Sequence, residues 1–319
     1  MRIERGFRMS AWFFLTSLLA GRWGLPGVRA DSPSWDSAWI HPGSNGAPVL
    51  TLFPLAGRKT TLDLPGGLPP NLTLNRFSRD GRAIYVQRAS EPSAGVIKIG
   101  FKPLRETTLP GSVGLGTVWH LTELPGAADF AVAGISTNPR ECGTFEVDTN
   151  TRVLRTLMSG PYPSCGGGGG EVSPDGKRAA RFANQKLVLN ELGTGSVHVI
   201  DGIESRASES DASWIRNVAW SPDGRWISVV TDEGKIILVD SDDTNHRRNL
   251  GPSRGPFIVW SPDSKHLLLL KSEFRCALYL YFESLEILDV ETGKRTTIKS
   301  SRCEVGPGWV GWIDAASIR

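Results

Sequence analysis

An all-β chain, folded as a six-bladed β-propeller of four-stranded antiparallel blades, is what this sequence predicts, and three observations predict it. A turn built on Ser-x-Asp-Gly, set between two apolar runs, recurs along the chain. A second, polar hairpin turn follows each copy. Beyond residue 30 no long stretch carries the 3.6-residue periodicity of an amphipathic helix.

The turn is clearest in Val218-Ala219-Trp220-Ser221-Pro222-Asp223-Gly224-Arg225-Trp226-Ile227-Ser228-Val229-Val230. Ser first, Pro second and Gly fourth suit a type I turn whose Gly takes positive φ, which closes a three-residue hairpin loop with a bulge. Phe77-Ser78-Arg79-Asp80-Gly81-Arg82, Val172-Ser173-Pro174-Asp175-Gly176-Lys177 and Trp260-Ser261-Pro262-Asp263-Ser264-Lys265 repeat it. The four aspartates lie 95, 48 and 40 residues apart. The first interval holds two units, and Leu124-Pro125-Gly126-Ala127-Ala128-Asp129-Phe130-Ala131-Val132-Ala133 sits near its midpoint as a degenerate copy.

Each unit continues into a second hairpin: Phe145–Arg152, Leu187–Gly195, Ile236–Asp240 with its polar turn, and Leu285–Lys294. A unit therefore holds four short strands, a to d, with the Ser-x-Asp-Gly turn joining a to b. Four strands every forty to fifty residues define a propeller blade, and blades packed radially bury faces that one blade alone cannot. Five units occupy residues 70–300, and the two ends supply the sixth. Ala47–Phe53 through Leu62-Asp63-Leu64 reads as a c–d hairpin lacking a and b. Gly308–Asp314, in which Trp312 matches Trp220 and Trp260, reads as the missing inner strand, so the N- and C-terminal segments pair to close the ring.

These hairpins, above all Ser173–Gly176 and Ser221–Gly224, resemble TolB-like propeller repeats, relatives of the WD-repeat class. The resemblance covers residues 70–315. Arg79 departs from it where the other copies have Pro, and Ser264 where they have Gly. A non-Gly residue held left-handed costs roughly 1–2 kcal/mol. TolB itself carries an N-terminal α/β domain for which this sequence leaves no room, so a part in the Tol envelope system is not expected.

Residues 1–30 read as a secretory signal peptide. Arg2, Arg5 and Arg8 precede the apolar run Ala11–Gly21, and Val28-Arg29-Ala30 offers a cleavage site after Ala30. An eleven-residue run is too short to span a bilayer, which needs about twenty residues of helix. The expected organisation is thus a leader over 1–30 and a single propeller domain over 31–319, periplasmic or secreted, with no integral membrane segment after cleavage. The leader holds five Arg and one Glu, a net of +4, so a chain of net charge +3 becomes −1 without it. Nothing basic is left to argue for nucleic acid.

An exported chain with four cysteines (Cys142, Cys165, Cys276 and Cys303) is expected to hold disulfides. Cys142 follows strand b of the third unit and Cys165 its strand d, and Cys276 and Cys303 hold the same places in the sixth. The b–c connection and the exit from d share one edge of an up-and-down blade, so pairing within each blade is the natural one of three connectivities. Buried free thiols are the alternative. Each closure would be worth roughly 3–4 kcal/mol in the chain-entropy model.

Other motifs read as structure. Gly251-Pro252-Ser253-Arg254-Gly255 matches the G-x-S-x-G nucleophile elbow but lies between strands, with no helix to follow. Gly166–Gly170 lacks the Lys-Ser/Thr of a phosphate loop and reads as a blade-to-blade connection. Asp240-Ser241-Asp242-Asp243-Thr244-Asn245 lacks the Gly and distal Glu of a calcium loop. His41, His120, His198, His246 and His266 share no metal-ligand spacing, and Trp220, Trp260 and Trp312 read as blade packing rather than a sugar platform. Asn71-Leu72-Thr73 is a glycosylation sequon, useful only in a eukaryote. No catalytic set, metal site or cofactor is therefore expected. The leading expectation is a monomeric, non-catalytic scaffold that binds a protein, peptide or glycan. The alternative is a propeller hydrolase or lactonase-type enzyme using acidic residues in the central channel.

Overall fold

Twenty-four strands and no helix make up the described part of the computed structural model. That part comprises residues 35–42, 48–53, 60–63, 72–88, 95–109, 115–124, 129–137, 140–148, 153–161, 171–204, 218–253, 257–272, 282–304 and 309–314. All of these residues belong to one compact unit, 33–319. The expected leader, the turn at 125–128, the glycine run, Asn71, Cys165 and Cys276 lie outside the described residues.

Six four-stranded antiparallel sheets result, and each runs in order from an inner strand a to an outer strand d. The first takes its inner strand from the C-terminal segment, β24 (Trp309–Asp314), followed by β1 (Trp35–Pro42), β2 (Pro48–Phe53) and β3 (Thr60–Asp63). The second is β4 (Leu72–Phe77), β5 (Ala83–Arg88), β6 (Ile97–Phe101) and β7 (Leu104–Thr108). The third is β8 (Leu115–Glu123), β9 (Asp129–Thr137), β10 (Arg140–Asp148) and β11 (Val153–Pro161). The fourth is β12 (Glu171–Val172), β13 (Arg178–Ala183), β14 (Lys186–Glu191) and β15 (Val197–Glu204). The fifth is β16 (Val218–Trp220), β17 (Trp226–Val230), β18 (Lys235–Asp240) and β19 (Arg247–Pro252). The sixth is β20 (Phe257–Trp260), β21 (His266–Ser272), β22 (Phe282–Asp289) and β23 (Arg295–Glu304).

Inner strands β24, β4, β8, β12, β16 and β20 touch in that order, and β21 meets β24 to complete the circle. The sheets are thus the blades of a β-propeller, shut by pairing the two ends of the chain, with Trp35 opposite Asp314 and Ile40 opposite Trp309. In one respect the first blade differs from expectation. The N-terminal segment supplies strand b as well as c and d, because Trp35–Pro42 forms β1. Its polar Asp36 and Ser37 hide an alternating pattern, yet both are buried in the seam.

Apolar layers fill the gaps between neighbouring blades. Tyr85, Val96, Leu121 and Phe130 join the second blade to the third, and Val172, Ala179, Leu124 and Leu192 the third to the fourth. Phe182, Leu189, Trp220 and Ile227 join the fourth to the fifth, Trp226, Leu238, Trp260 and Leu269 the fifth to the sixth, and Leu268, Ile287, Trp312 and Trp35 the sixth to the first. Because both faces of a blade are covered, middle strands bury successive residues rather than alternate ones, and all five residues of β17 are buried.

The turns at the a–b junctions show why the repeat needs its residue types. In four of them the Ser hydroxyl donates to the Asp carboxylate two residues on: Ser78 to Asp80, Ser173 to Asp175, Ser221 to Asp223 and Ser261 to Asp263, at 2.5–2.6 Å. The same hydroxyl accepts the amide that opens strand b, from Ala83, Arg178, Trp226 and His266 at 2.8–2.9 Å. The fourth residue is left-handed in each, with φ of 64° at Gly81, 73° at Gly176, 77° at Gly224 and 59° at Ser264. Ser264 has a compensation that Gly lacks, because its hydroxyl accepts the Asp223 amide of the neighbouring turn at 3.0 Å.

Candidate functional site

Three inner strands place polar side chains where the other repeats have small or apolar ones. Aligned on the turn serine, Arg76 and Glu171 stand where the fifth and sixth blades have Ala219 and Val259. Arg76 Nη2 donates to Glu171 Oε1 at 2.9 Å, joining the second blade to the fourth. A side chain can make that connection only by passing along the inner edge of the third blade, so the contact lies on the axial wall. His120 of β8 fills the gap, with its Nδ1 3.3 Å from Arg76 Nη1 and its Nε2 3.2 Å from Thr122 Oγ1. A guanidinium can only donate, so Nδ1 is the acceptor and the ring proton sits on Nε2.

The electrostatics agree with that tautomer. Burial foremost, and then the Arg76 charge, hold the His120 imidazole well below its usual value, so it is neutral. Burial likewise raises the Glu171 carboxyl above the usual range, against the pull of Arg76. Glu171 is 3% exposed, and among the described residues its Oε2 has no hydrogen-bond partner. Arg76 is the cluster's solvent contact, with its side chain 39% exposed.

A second polar group lies one step further along the axis. Glu123, at the end of β8, accepts the Tyr85 hydroxyl and the Arg79 amide, both at 2.6 Å. The Arg79 side chain then crosses the ring, and its Nη2 donates to the Pro222 carbonyl at 2.7 Å. The second and fifth blades stand three places apart in either direction, so this bond spans the axis between opposite turns. Neighbouring turns also touch. Gly81 abuts Trp35 and the Asp314 amide, Gly176 abuts Leu124, and Gly224 faces Pro174.

The tryptophans anticipated as packing residues form a ladder. Trp220 Nε1 donates to the Glu171 carbonyl at 2.8 Å, Trp260 to that of Ala219 at 3.2 Å, and Trp312 to that of Val259 at 3.1 Å. Each ties its inner strand to that of the preceding blade, and all three are buried.

The remaining sequence candidates fall as follows. Cys142 lies inside strand c of the third blade, opposite Gly160 near the end of strand d, rather than in a b–c loop. Cys303 lies inside strand d of the sixth blade, next to Glu304, which pairs with Phe282 at the start of strand c. Ser253 follows β19 and is succeeded by strand β20, so no elbow into a helix forms. Asp240 Oδ1 accepts the amides of Asp242 and Asp243, which makes its segment a self-capped turn. His198 is exposed on an outer strand, and His246 packs on the Trp226 ring. His266 lies 3.8 Å from both Asp263 and Asp289, and His41 is in β1. Sequence reasoning weighed His120 only as a strand residue and Arg79 only as a turn irregularity, and it missed Arg76, Glu123 and Glu171. The signal available was a charge two residues before the turn serine.

No protein-family model matches the chain, and no curated protein matches it in sequence. Solved structures match it in shape. TolB from Acinetobacter baumannii superposes with a TM-score of 0.62 at 15% identity, over 90% of this chain and 68% of that one. A structure of a nidogen/laminin complex gives 0.53 at 10% identity, over 87% of this chain and 98% of that one. The fold is that of a β-propeller, and in shape it is similar to that of TolB. No helix among the described residues is long and apolar enough to cross a membrane.

Proposed function

We propose that the chain is an exported β-propeller that binds a protein, peptide or glycan at one end of its ring without transforming it. The observation that carries this reading is the commitment of the inner-strand acids. Glu171 is engaged by Arg76, and Glu123 by Tyr85 and the Arg79 amide. One of the two similar propellers was solved in a complex of nidogen with laminin, which lends support to a protein ligand. The test is native purification after chemical cross-linking from the exported fraction. A stoichiometric partner on a chain that begins at Asp31 is expected; a chain that keeps residues 1–30 in the cell, or crosses to nothing, speaks against it.

The rest of the reading follows from export. Cleavage falls after Ala30, the mature domain is a monomer in the periplasm or medium, and Cys142–Cys165 and Cys276–Cys303 are disulfides. Peptide mapping without reductant tests the pairing, and a Cys142–Cys276 link defeats it.

One observation favours the enzyme alternative. A buried carboxyl with a raised pKa, a neutral imidazole and a half-exposed guanidinium make a set able to move a proton. Turnover of a lactone or glycan that Glu171→Gln abolishes, with the fold intact, would replace binding by catalysis.

A further inference from the structure

Arg79 is the one Ser-x-Asp turn residue whose identity the turn does not explain. The equivalent positions hold Pro174, Pro222 and Pro262, as a type I turn prefers. Arg79 forms the same turn, with the Gly81 amide bonded to the Ser78 carbonyl at 2.9 Å. Its backbone is clamped from the next blade by Glu123, and its guanidinium is carried to the centre of the turn end.

There the guanidinium is underused. Among the described residues it has one partner, the neutral Pro222 carbonyl, and no carboxylate faces it. A single neutral acceptor leaves the other four N–H groups of the fork unpaired. Holding so long a side chain across the ring for one such bond sacrifices rotamer freedom with little return in stability. The arginines that follow two of these turns differ. Arg82 lies 3.5 Å from Asp314, and Arg225 lies 3.5 Å from Asp240. Among the described residues, Arg79 thus presents a guanidinium fork across the turn end with no carboxylate partner, and the other a–b turns carry Pro174, Pro222 and Pro262 at the position it occupies.

We propose that Arg79 is the anchor of a carboxylate-binding site at the turn end of the ring, taking an acidic side chain of a peptide whose neighbouring residues are apolar. A carboxylate matches the guanidinium fork in two parallel charge-assisted bonds and brings the opposite charge, where the Pro222 carbonyl takes a single bond and brings none. The pyrrolidine rings that the other turns carry at this position make that end of the ring a better match for apolar flanks than for the hydroxyls of a glycan. This assignment rests on the binding reading above and adds to it the end of the ring and the chemistry recognised.

The test compares the full mature chain with Arg79→Pro, which installs the residue of the other turns, and with Arg79→Gln should the first variant fail to fold. Probes are a short peptide with one Glu between leucines, its Gln counterpart, and an oligogalacturonate, each titrated at low salt by NMR. The expected result is saturable binding of the Glu peptide, at least tenfold weaker for the Gln peptide and at least tenfold weaker in the Arg79 variants. Equal affinity of wild type and variants, or no saturable binding by wild type, overturns the site. Arg79-dependent binding of the oligogalacturonate alone overturns the peptide assignment. A cross-linked native partner that Arg79→Pro retains in full sinks this inference while leaving the binding reading intact.

Discussion

Gly311 is where the closing strand is most exposed to a single-atom change. It lies in β24 against Phe77 of β4, and a Cβ built on it would overlap Phe77 Cδ2 and stand 2.5 Å from Cγ and 2.6 Å from Cε2. Carbon atoms in contact prefer about 3.5–4.0 Å, so the ring would have to retreat by well over an ångström. The Phe77 ring lies beside that of Phe101, with centroids 6.4 Å apart, and Gly311 pairs with buried Ala38 across the closing seam. Overpacking of this kind costs about 1–3 kcal/mol, and an overlap this deep puts Gly311→Ala near the upper end. At about 2–4 °C per kcal/mol for a domain of a few hundred residues, the melting temperature should drop by roughly 6–12 °C. Scanning calorimetry or a circular-dichroism melt reads this directly. The cause is isolated by a double-mutant cycle: Gly311→Ala on a Phe77→Ala background should cost under about 1 kcal/mol, because the obstructing ring is gone. A Gly311→Ala melt within about 2 °C of wild type, or additive single effects, would refute the described seating of β24.

Three further perturbations test other parts of the structure. Trp312→Phe keeps the ring but removes the donor to the Val259 carbonyl, and should cost about 1–2 kcal/mol in denaturant unfolding; no loss would mean that the ladder does not tie the blades. His120 has a folded pKa well below its unfolded value, so the unfolded chain binds the extra proton. Its contribution is present above about pH 6.5 and is lost as pH falls, by at most about 1.4 kcal/mol per pH unit. Wild type should therefore lose stability relative to His120→Asn between pH 8 and 5, and parallel curves would contradict a buried neutral imidazole. Burial raises the Asp263 carboxyl, but the nearby His266 ring, the Ser261 hydroxyl and the Lys265 amide outweigh it and hold the pKa at about 2. This depressed carboxylate stabilises the fold above its unfolded value and loses that effect as pH falls towards 2. Asp263→Asn should cost about 1 kcal/mol at neutral pH after allowance for solvent exposure, and nothing in strong acid.

What the sequence determined alone is the repeating hairpin. Its Ser, Asp and Gly interact within five residues of one another, so the pattern that makes each turn is written contiguously. Ring closure was also legible, because Trp312 carries the inner-strand signature of Trp220 and Trp260 at the far end of the chain. β1 was not, since Asp36 and Ser37 break the apolar pattern and are tolerated only inside the seam.

Tertiary structure alone decided what meets at the axis. Arg76 reaches a partner 95 residues away and Arg79 one 143 residues away, with blades between that neither belongs to. Local pattern fixes where a residue stands in its repeat; it says nothing of which side chain is long enough to cross the ring, or which charge will find no opposite charge there. Those are properties of the circle, set by how equivalent positions of distant repeats converge on one line.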